Sequence, residues 1–279
     1  MLVKHSARIA IVVGVAAALA ASFVLAQRYW QADRELAARL ASAALVRGTP
    51  VECSRLAAEK PLVLLALGQS NAANHGQRAA QRPAVTLFHE GRCMRATDPL
   101  PGGTGDGASL WPDLIPLLAQ PVLLSLLAVD ATTIDDWTRL SSPIRHKLVT
   151  HLKAMRDENL QPGLILWHQG EADAMRARSS DDYRKGLREL SSIFNQSGVA
   201  APIVVAYSTV CRSKPDAAIR QAIDAEMAAD TRFRRGPDLD TLLGHVMRHD
   251  GCHFSAVGLE RAAELWRAAV VAAAPSPAR

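Results

Sequence analysis

Gly68-Gln69-Ser70-Asn71 follows directly on the apolar run Pro61–Leu67. A serine in a glycine-led turn behind a buried strand presents its hydroxyl at the carboxyl edge of a sheet, where open α/β folds hold their ligands. Far along the chain, His249-Asp250-Gly251-Cys252-His253-Phe254 offers an aspartate and a histidine three residues apart, ahead of a final helix. Serine, histidine and aspartate together form an acid–base relay that activates a hydroxyl nucleophile. Ser70 is then the nucleophile. His253 is the general base, its ordinary pKa of about 6.5 suiting proton transfer near neutrality. Asp250 reaches the other imidazole nitrogen and fixes the tautomer. The plain alternative for Asp250 is a loop carboxylate ahead of a helix that Ser255 caps.

A third block, Trp167-His168-Gln169-Gly170-Glu171-Ala172-Asp173, also ends an apolar run. Its neutral amide, Gln169, suits an oxyanion donor acting with the Ser70 backbone N–H. Gln69, Asn71 and Glu171 read as supporting residues, Glu171 and Asp173 binding loop N–H groups. His245, His249 and His253 are spaced by four, a spacing that metal ligands use on helices. Gly244 and Gly251 interrupt that segment, and no glutamate follows the first histidine as in zinc proteases. His245 and His249 therefore read as loop histidines, and the expectation is a site without metal or cofactor.

The elements that must position these residues are legible as alternation. Short apolar runs recur at Pro61–Leu67, Val85–Phe88, Val122–Val129, Leu164–Trp167 and Ile203–Tyr207. Amphipathic stretches lie between most of them: Ser109–Ala119, Ser141–Asn159, Ser180–Gln196 and Pro215–Ala229, with a last helix at Ser255–Ala273. Strands alternating with helices predict a parallel sheet between two helical layers. Pro99–Gly107 reads as a loop, and the tail Pro275–Arg279 as disordered.

Ala7–Ala26 is a run of twenty residues whose only charge is Arg8, preceded by Lys4 and His5. At about 1.5 Å per residue it is long enough to cross a bilayer core. The basic flank fits export of the rest of the chain. Val24-Leu25-Ala26 also resembles a signal cleavage site, but Arg28-Tyr29-Trp30 comes next like an interfacial anchor, so the run reads as an uncleaved anchor. Segment 1–27 is thus the anchor or signal, 28–58 a stalk helix (Gln31–Arg47) and linker, and 59–274 the catalytic domain. Four cysteines suit an exported chain and allow three pairings. Cys211, just past a strand, and Cys252, in the Asp–His loop, share one sheet edge. They are expected to pair, which leaves Cys53 with Cys93. The formal charge of +5 is scattered, densest at Arg232, Arg234 and Arg235. Without a basic stripe and stacking aromatics, nucleic acid is not an expected partner.

The three blocks, with the loop Asp98-Pro99-Leu100 through Ser109-Leu110-Trp111-Pro112, resemble the sialate O-acetylesterase-like and acetylxylan-esterase-like branch of the SGNH (GDSL) hydrolases. The likeness spans about residues 60–270, in the family's order. It implies a three-layer α/β/α sandwich with a five-stranded parallel sheet, and metal-free removal of O-acetyl groups from carbohydrate through an acetyl-enzyme. Carried over, Ser70 is the nucleophile, His253 the base, Asp250 its orienter and Gln169 an oxyanion donor. One block departs. Where the family has Gly-Gly-Thr/Ser after the third strand, this chain reads Val129-Asp130-Ala131-Thr132-Thr133. Ala131 still offers an N–H to the oxyanion hole, but neither Asp130 nor Ala131 takes positive φ cheaply. Asp130 would also set a negative charge near the oxyanion unless it points away or is paired. The competing expectations are a membrane-tethered glycan-binding protein of weak activity, and a lipase or thioesterase of the same fold.

Overall fold

The computed structural model describes residues 2–43, 48–78 and 82–274, with side chains from residue 20 onward, Leu25 excepted. In chain order the elements are α1 (Leu2–Ala43), β1 (Thr49–Val51), α2 (Cys53–Ala58), β2 (Leu62–Gly68), β3 (Val85–His89), β4 (Arg92–Ala96), α3 (Trp111–Leu114) and β5 (Val122–Ala128). Next come α4 (Ile134–Thr138), α5 (Pro143–Asp157), β6 (Leu164–His168), α6 (Glu171–Met175), α7 (Ser180–Gln196), β7 (Ile203–Tyr207), α8 (Ala217–Ala229), β8 (Phe233–Asp238) and α9 (Ala256–Ala273). Met1–Ala38 forms one compact unit and Arg39–Arg279 another.

Among the described residues, all eight strands join one sheet in the order β1-β4-β3-β5-β2-β6-β7-β8. From β3 to β8 every neighbouring pair is parallel. β4 and β1 extend the β3 edge in antiparallel fashion. The strands carry apolar side chains to both faces, as a sheet covered on two sides requires. Leu64 and Ala66 of β2 join Leu124, Leu126, Trp111 and Trp266 in the core under α3 and α9. Helices α5 and α7 cover the other face with buried Ile144, Leu148, Leu152, Tyr183 and Leu187. Side chains of Ser142, Ser179, Asp216 and Ser255 accept backbone N–H bonds at the starts of α5, α7, α8 and α9.

The α/β sandwich is as expected, but the sheet has eight strands rather than five. The three additional strands lack a continuous apolar run. β8 reads Phe-Arg-Arg-Gly-Pro-Asp, with both arginines exposed. β4 is made by a hairpin whose turn, Glu90-Gly91, has positive φ at both residues (48° and 75°), the turn form that matches strand twist. β1 is three residues long and pairs β4 at its edge. The expected helix Ser109–Ala119 is broken into α3 and a 3₁₀ turn at Ile115–Leu117, because Pro112 and Pro116 sit within it.

Both disulfides have the expected partners, Cys53–Cys93 and Cys211–Cys252. They belong to an oxidising compartment outside the cytoplasm, so the protein is an exported one. Among the described residues no helix is long and apolar enough to cross a membrane. Most of the run Ala7–Ala26, and the tail Pro275–Arg279, lie outside the residues whose side chains are described.

Candidate active site

Strands β5, β2 and β6 lie side by side, and the three loops leaving their carboxyl ends meet. Close approach of β2 to β6 demands Gly68: with φ of +152°, a Cβ there would lie 2.0 Å from the His168 carbonyl oxygen. Gln69 N–H then donates to that carbonyl at 3.2 Å, and Val129 N–H donates to Gly68 O at 3.0 Å. The chain turns at once into a 3₁₀ helix, Ser70–Ala72, whose Ala72 carbonyl accepts from Trp111 Nε1 at 2.7 Å. Ser70 is 4 % exposed. Among the described residues its hydroxyl and its backbone N–H make no hydrogen bond, which leaves both for a ligand.

Between β8 and α9 the chain makes an arch, closed by an antiparallel bridge between Arg248 and Phe254 and by His249 N–H donating to His253 O at 3.0 Å. Within it, Asp250 Oδ2 lies 2.8 Å from His253 Nδ1. Asp250 Oδ1 accepts from the N–H groups of Cys252 (2.8 Å) and His253 (2.7 Å). Partial burial would raise the pKa of Asp250, but those bonds outweigh it and hold the carboxyl far below its ordinary value. A fixed carboxylate on Nδ1 leaves His253 Nε2 as the basic nitrogen. Arg212, beside the Cys211–Cys252 bridge, donates its backbone N–H to Gly251 O at 2.8 Å and lies 3.5 Å from Asp250 Oδ2.

One buried group joins this arch to the serine turn, and another braces the arch itself. Asn71 Nδ2 donates to Cys252 O at 3.2 Å and to Glu171 Oε1 at 2.8 Å. Arg248, 1 % exposed, donates to the carbonyls of Leu239, Leu242 and Cys252. Glu171 also accepts from Ser208 Oγ at 2.7 Å. Complete burial pushes its pKa up to about 7, against the pull of the Asn71 and Ser208 bonds. Asn71 and Glu171 thus tie the serine turn, the loop after β6 and the arch to one another. Arg248 and Ser208 carry no such signal in the sequence: an arginine two residues before an aspartate reads as surface charge until the arch is seen to bury it.

Gln169 departs from its expected part. Its Nε2 donates to Asp173 Oδ2 (2.6 Å), Thr132 O (2.9 Å) and Gln69 Oε1 (3.3 Å), and its Oε1 lies 3.0 Å from the Tyr183 hydroxyl. A fully buried amide engaged in this way has no proton left for an oxyanion. Gln69 is the amide left over: its Oε1 also accepts from Ala172 N–H at 3.1 Å, and its Nε2 has no acceptor among the described residues.

Ala131 is where the family's glycine stretch is missing, and it adopts φ of +54° all the same. The strain is met by neighbours. Asp130 N–H donates to Thr104 Oγ1 at 2.9 Å, and Arg39, from the end of α1, donates to Asp130 O and lies 3.8 Å from its carboxylate. Asp130 is thus paired, and the Ala131 N–H, unbonded among the described residues, remains available. Thr104 Oγ1 also lies 3.2 Å from His75 Nε2, and the His75 ring stacks on His253 at 5.3 Å. Burial lowers the pKa of His75, with Asp130 opposing and His253 adding to the shift. An open cleft of about 410 Å³ is lined by His75, Gly76, Asp106, Gly107 and His253, among others.

A second serine–histidine pair, Ser125 Oγ and His151 Nε2 at 2.6 Å, is sealed between β5 and α5. Burial takes the His151 pKa down to about 3. It is core, inaccessible to a substrate.

The family model for carbohydrate esterase, sialic acid-specific acetylesterase matches residues 115–265. Among solved structures, a protein from Arabidopsis thaliana is similar at 16% identity and a TM-score of 0.60, over 76% of this chain and 98% of that one. A carbohydrate acetylesterase from Xanthomonas citri is similar at 13% identity and TM-score 0.53, over 76% of this chain and 56% of that one. NanS is similar at 14% identity and TM-score 0.51, over 80% of this chain and 98% of that one. None of the curated proteins matches the chain in sequence.

A raised pKa on Glu171 means that the folded state holds a proton the unfolded chain releases. Its contribution to stability is present below the unfolded value and lost as pH rises through about 7. Glu171→Gln keeps the acceptor oxygen and cannot ionise. Urea unfolding is expected to show the variant gaining on wild type by an order of 3 kcal/mol between pH 4 and pH 8. An unchanged difference at the two pH values would place the ionisation elsewhere.

Proposed function

For a chain that belongs to the sialic acid-specific acetylesterase family of carbohydrate esterases, we propose that Ser70, His253 and Asp250 carry the reaction. The enzyme is an esterase that removes O-acetyl groups from carbohydrate. The observation that carries the assignment is the Asp250–His253 pair at 2.8 Å, bound through Asn71 to the turn that presents Ser70.

In the proposed cycle, Ser70 Oγ attacks the acetyl carbonyl while His253 Nε2 takes its proton. The tetrahedral oxyanion receives the N–H groups of Ser70 and Ala131 and the free amide of Gln69, in place of Gln169. The imidazolium, held by Asp250, returns the proton to the sugar oxygen as the C–O bond breaks. Water deprotonated by His253 then releases acetate from the acetyl-enzyme. Ser70 and His253 share no hydrogen bond among the described residues; such bonds commonly tighten only when substrate binds. Arg39 is a positioning residue, since it holds the Asp130 carbonyl and through it the strained turn that offers Ala131 N–H. The acetylated glycan is the substrate partner. The run Ala7–Ala26 is proposed as an uncleaved anchor that leaves the catalytic unit on the outer side of the membrane.

Three outcomes check this reading. Ser70→Ala should cut acetate release from p-nitrophenyl acetate and acetylated glycans by at least about 10³-fold with Tm preserved, and p-nitrophenyl octanoate should be a poor substrate of the wild type. Full turnover by Ser70→Ala would remove the nucleophile assignment. Arg39→Ala is expected to lower kcat about tenfold, with little change in KM or Tm and partial recovery in Arg39→Lys; a fall in Tm alone would make Arg39 a packing residue. On fractionation the full chain should sediment with membranes and resist carbonate extraction. A soluble chain beginning near residue 27 would instead show that the run is cleaved.

A further inference from the structure

His249 has no part in the Ser70–His253–Asp250 relay, yet the arch sets it beside His253. The two occupy facing positions next to the Arg248–Phe254 bridge, joined by the His249 N–H bond to His253 O. Their rings lie 6.2 Å apart, with planes within 30° of parallel. One ligand atom from each of His249, Asp250 and His253 can be chosen so that all three lie within 4.8 Å of one another. We propose that these three residues form an inhibitory site for a divalent transition-metal cation such as Zn²⁺ or Cu²⁺.

The chemistry of the donors selects the cation. Two imidazoles and one carboxylate favour zinc, copper or nickel over magnesium or calcium, which prefer all-oxygen shells. A tetrahedral shell with bonds of about 2.0–2.1 Å brings donor atoms closer than 4.8 Å. His249 can supply the movement, because it is exposed and its ring is held only by a long contact of 3.5 Å between Nε2 and His75 O, whereas the frame beneath is fixed. The Cys211–Cys252 bridge and the three carbonyl bonds of Arg248 hold the arch whether or not metal is present. Little ordering is therefore left for the metal to impose.

Inhibition follows from which atoms are used. Given to a metal, Nε2 of His253 loses the lone pair that takes the Ser70 proton. Given instead, Nδ1 coordinates in the other tautomer, its proton passing through solvent to Nε2, and the bond to Asp250 is replaced by coordination. Either way no base remains. Through His253 the inhibition rests on the proposed relay, but binding itself does not.

The test separates the two. Isothermal titration of ZnCl₂ into wild type and into Ser70→Ala should give one site of equal affinity in both, since Ser70 is no ligand. Zinc should inhibit p-nitrophenyl acetate turnover in the wild type, and chelation with EDTA should reverse it. Loss of outer-shell partners alone commonly costs about 10–100-fold in metal affinity. His249→Ala, compared with its own zinc-free rate, should therefore need at least about tenfold more zinc for half-inhibition. MgCl₂ at the same concentrations should leave turnover unchanged. Absence of a zinc isotherm, or equal zinc sensitivity of His249→Ala and wild type, overturns the site. An isotherm lost in His249→Ala but without inhibition of wild-type turnover would keep the metal site and remove His253 as the base.

Discussion

Asn71 donates from one nitrogen to two oxygens, the Glu171 carboxyl and the Cys252 carbonyl, in a region closed to water. That joint ties together the loop after β2, the loop after β6 and the arch before α9, which are far apart in the chain. A buried polar group left unpaired costs about 1–3 kcal/mol, so each member of the joint holds the others in place. Arg248 continues it into the carbonyls of Leu239 and Leu242, and Ser208 brings in the end of β7. These supporting groups tie the proposed nucleophile and base into one network, since Ser70 and His253 share no direct bond of their own among the described residues.

The departure from the family's glycine stretch shows how the same geometry is reached by other means. Glycine enters the left-handed region without cost, whereas alanine is strained there. Here Thr104 and Arg39 bind the N–H and carbonyl of the preceding Asp130, and so hold Ala131 in that conformation. Arg39 also pairs with the carboxylate that would otherwise repel a developing oxyanion. One consequence is that the end of α1 belongs to the site, although in sequence it reads as a stalk. The unit beginning at Arg39 also takes in β1, through its pairing with β4, and Cys53, through its bridge to Cys93.

The exchange of parts between the two glutamines has a similar cause. Both lie at the ends of adjacent strands, and each offers a neutral amide. Asp173, buried and fixed by Ile134 N–H and Arg178, draws the Gln169 amide toward itself. Gln69 has its oxygen held by Ala172 N–H and Gln169, so its NH₂ group is the one without a partner among the described residues. Which amide is spent and which is free depends on a carboxylate four residues beyond Gln169, and not on either glutamine.

The fold class, five of the six parallel strands and both disulfide pairings were legible in the sequence, as were the Ser, Asp and His residues now proposed as the catalytic set. Each rests on a local signal: a continuous apolar run, a turn with a glycine, a spacing of three, or two cysteines at one sheet edge. The strands at and next to the sheet's edges, β1, β4 and β8, were not, because a half-covered strand needs few apolar residues and the arginines of β4 and β8 look like a solvated loop. Nor was the support of the site by Arg39, Thr104 and Ser208, whose partners lie tens of residues away, or by Arg248, whose partners are backbone carbonyls that carry no residue signal. A sequence displays the groups that do chemistry because their types and spacing are unusual. Only the tertiary structure decides which ordinary polar residues hold them, because a hydrogen bond is made by position and leaves no mark on the residues between.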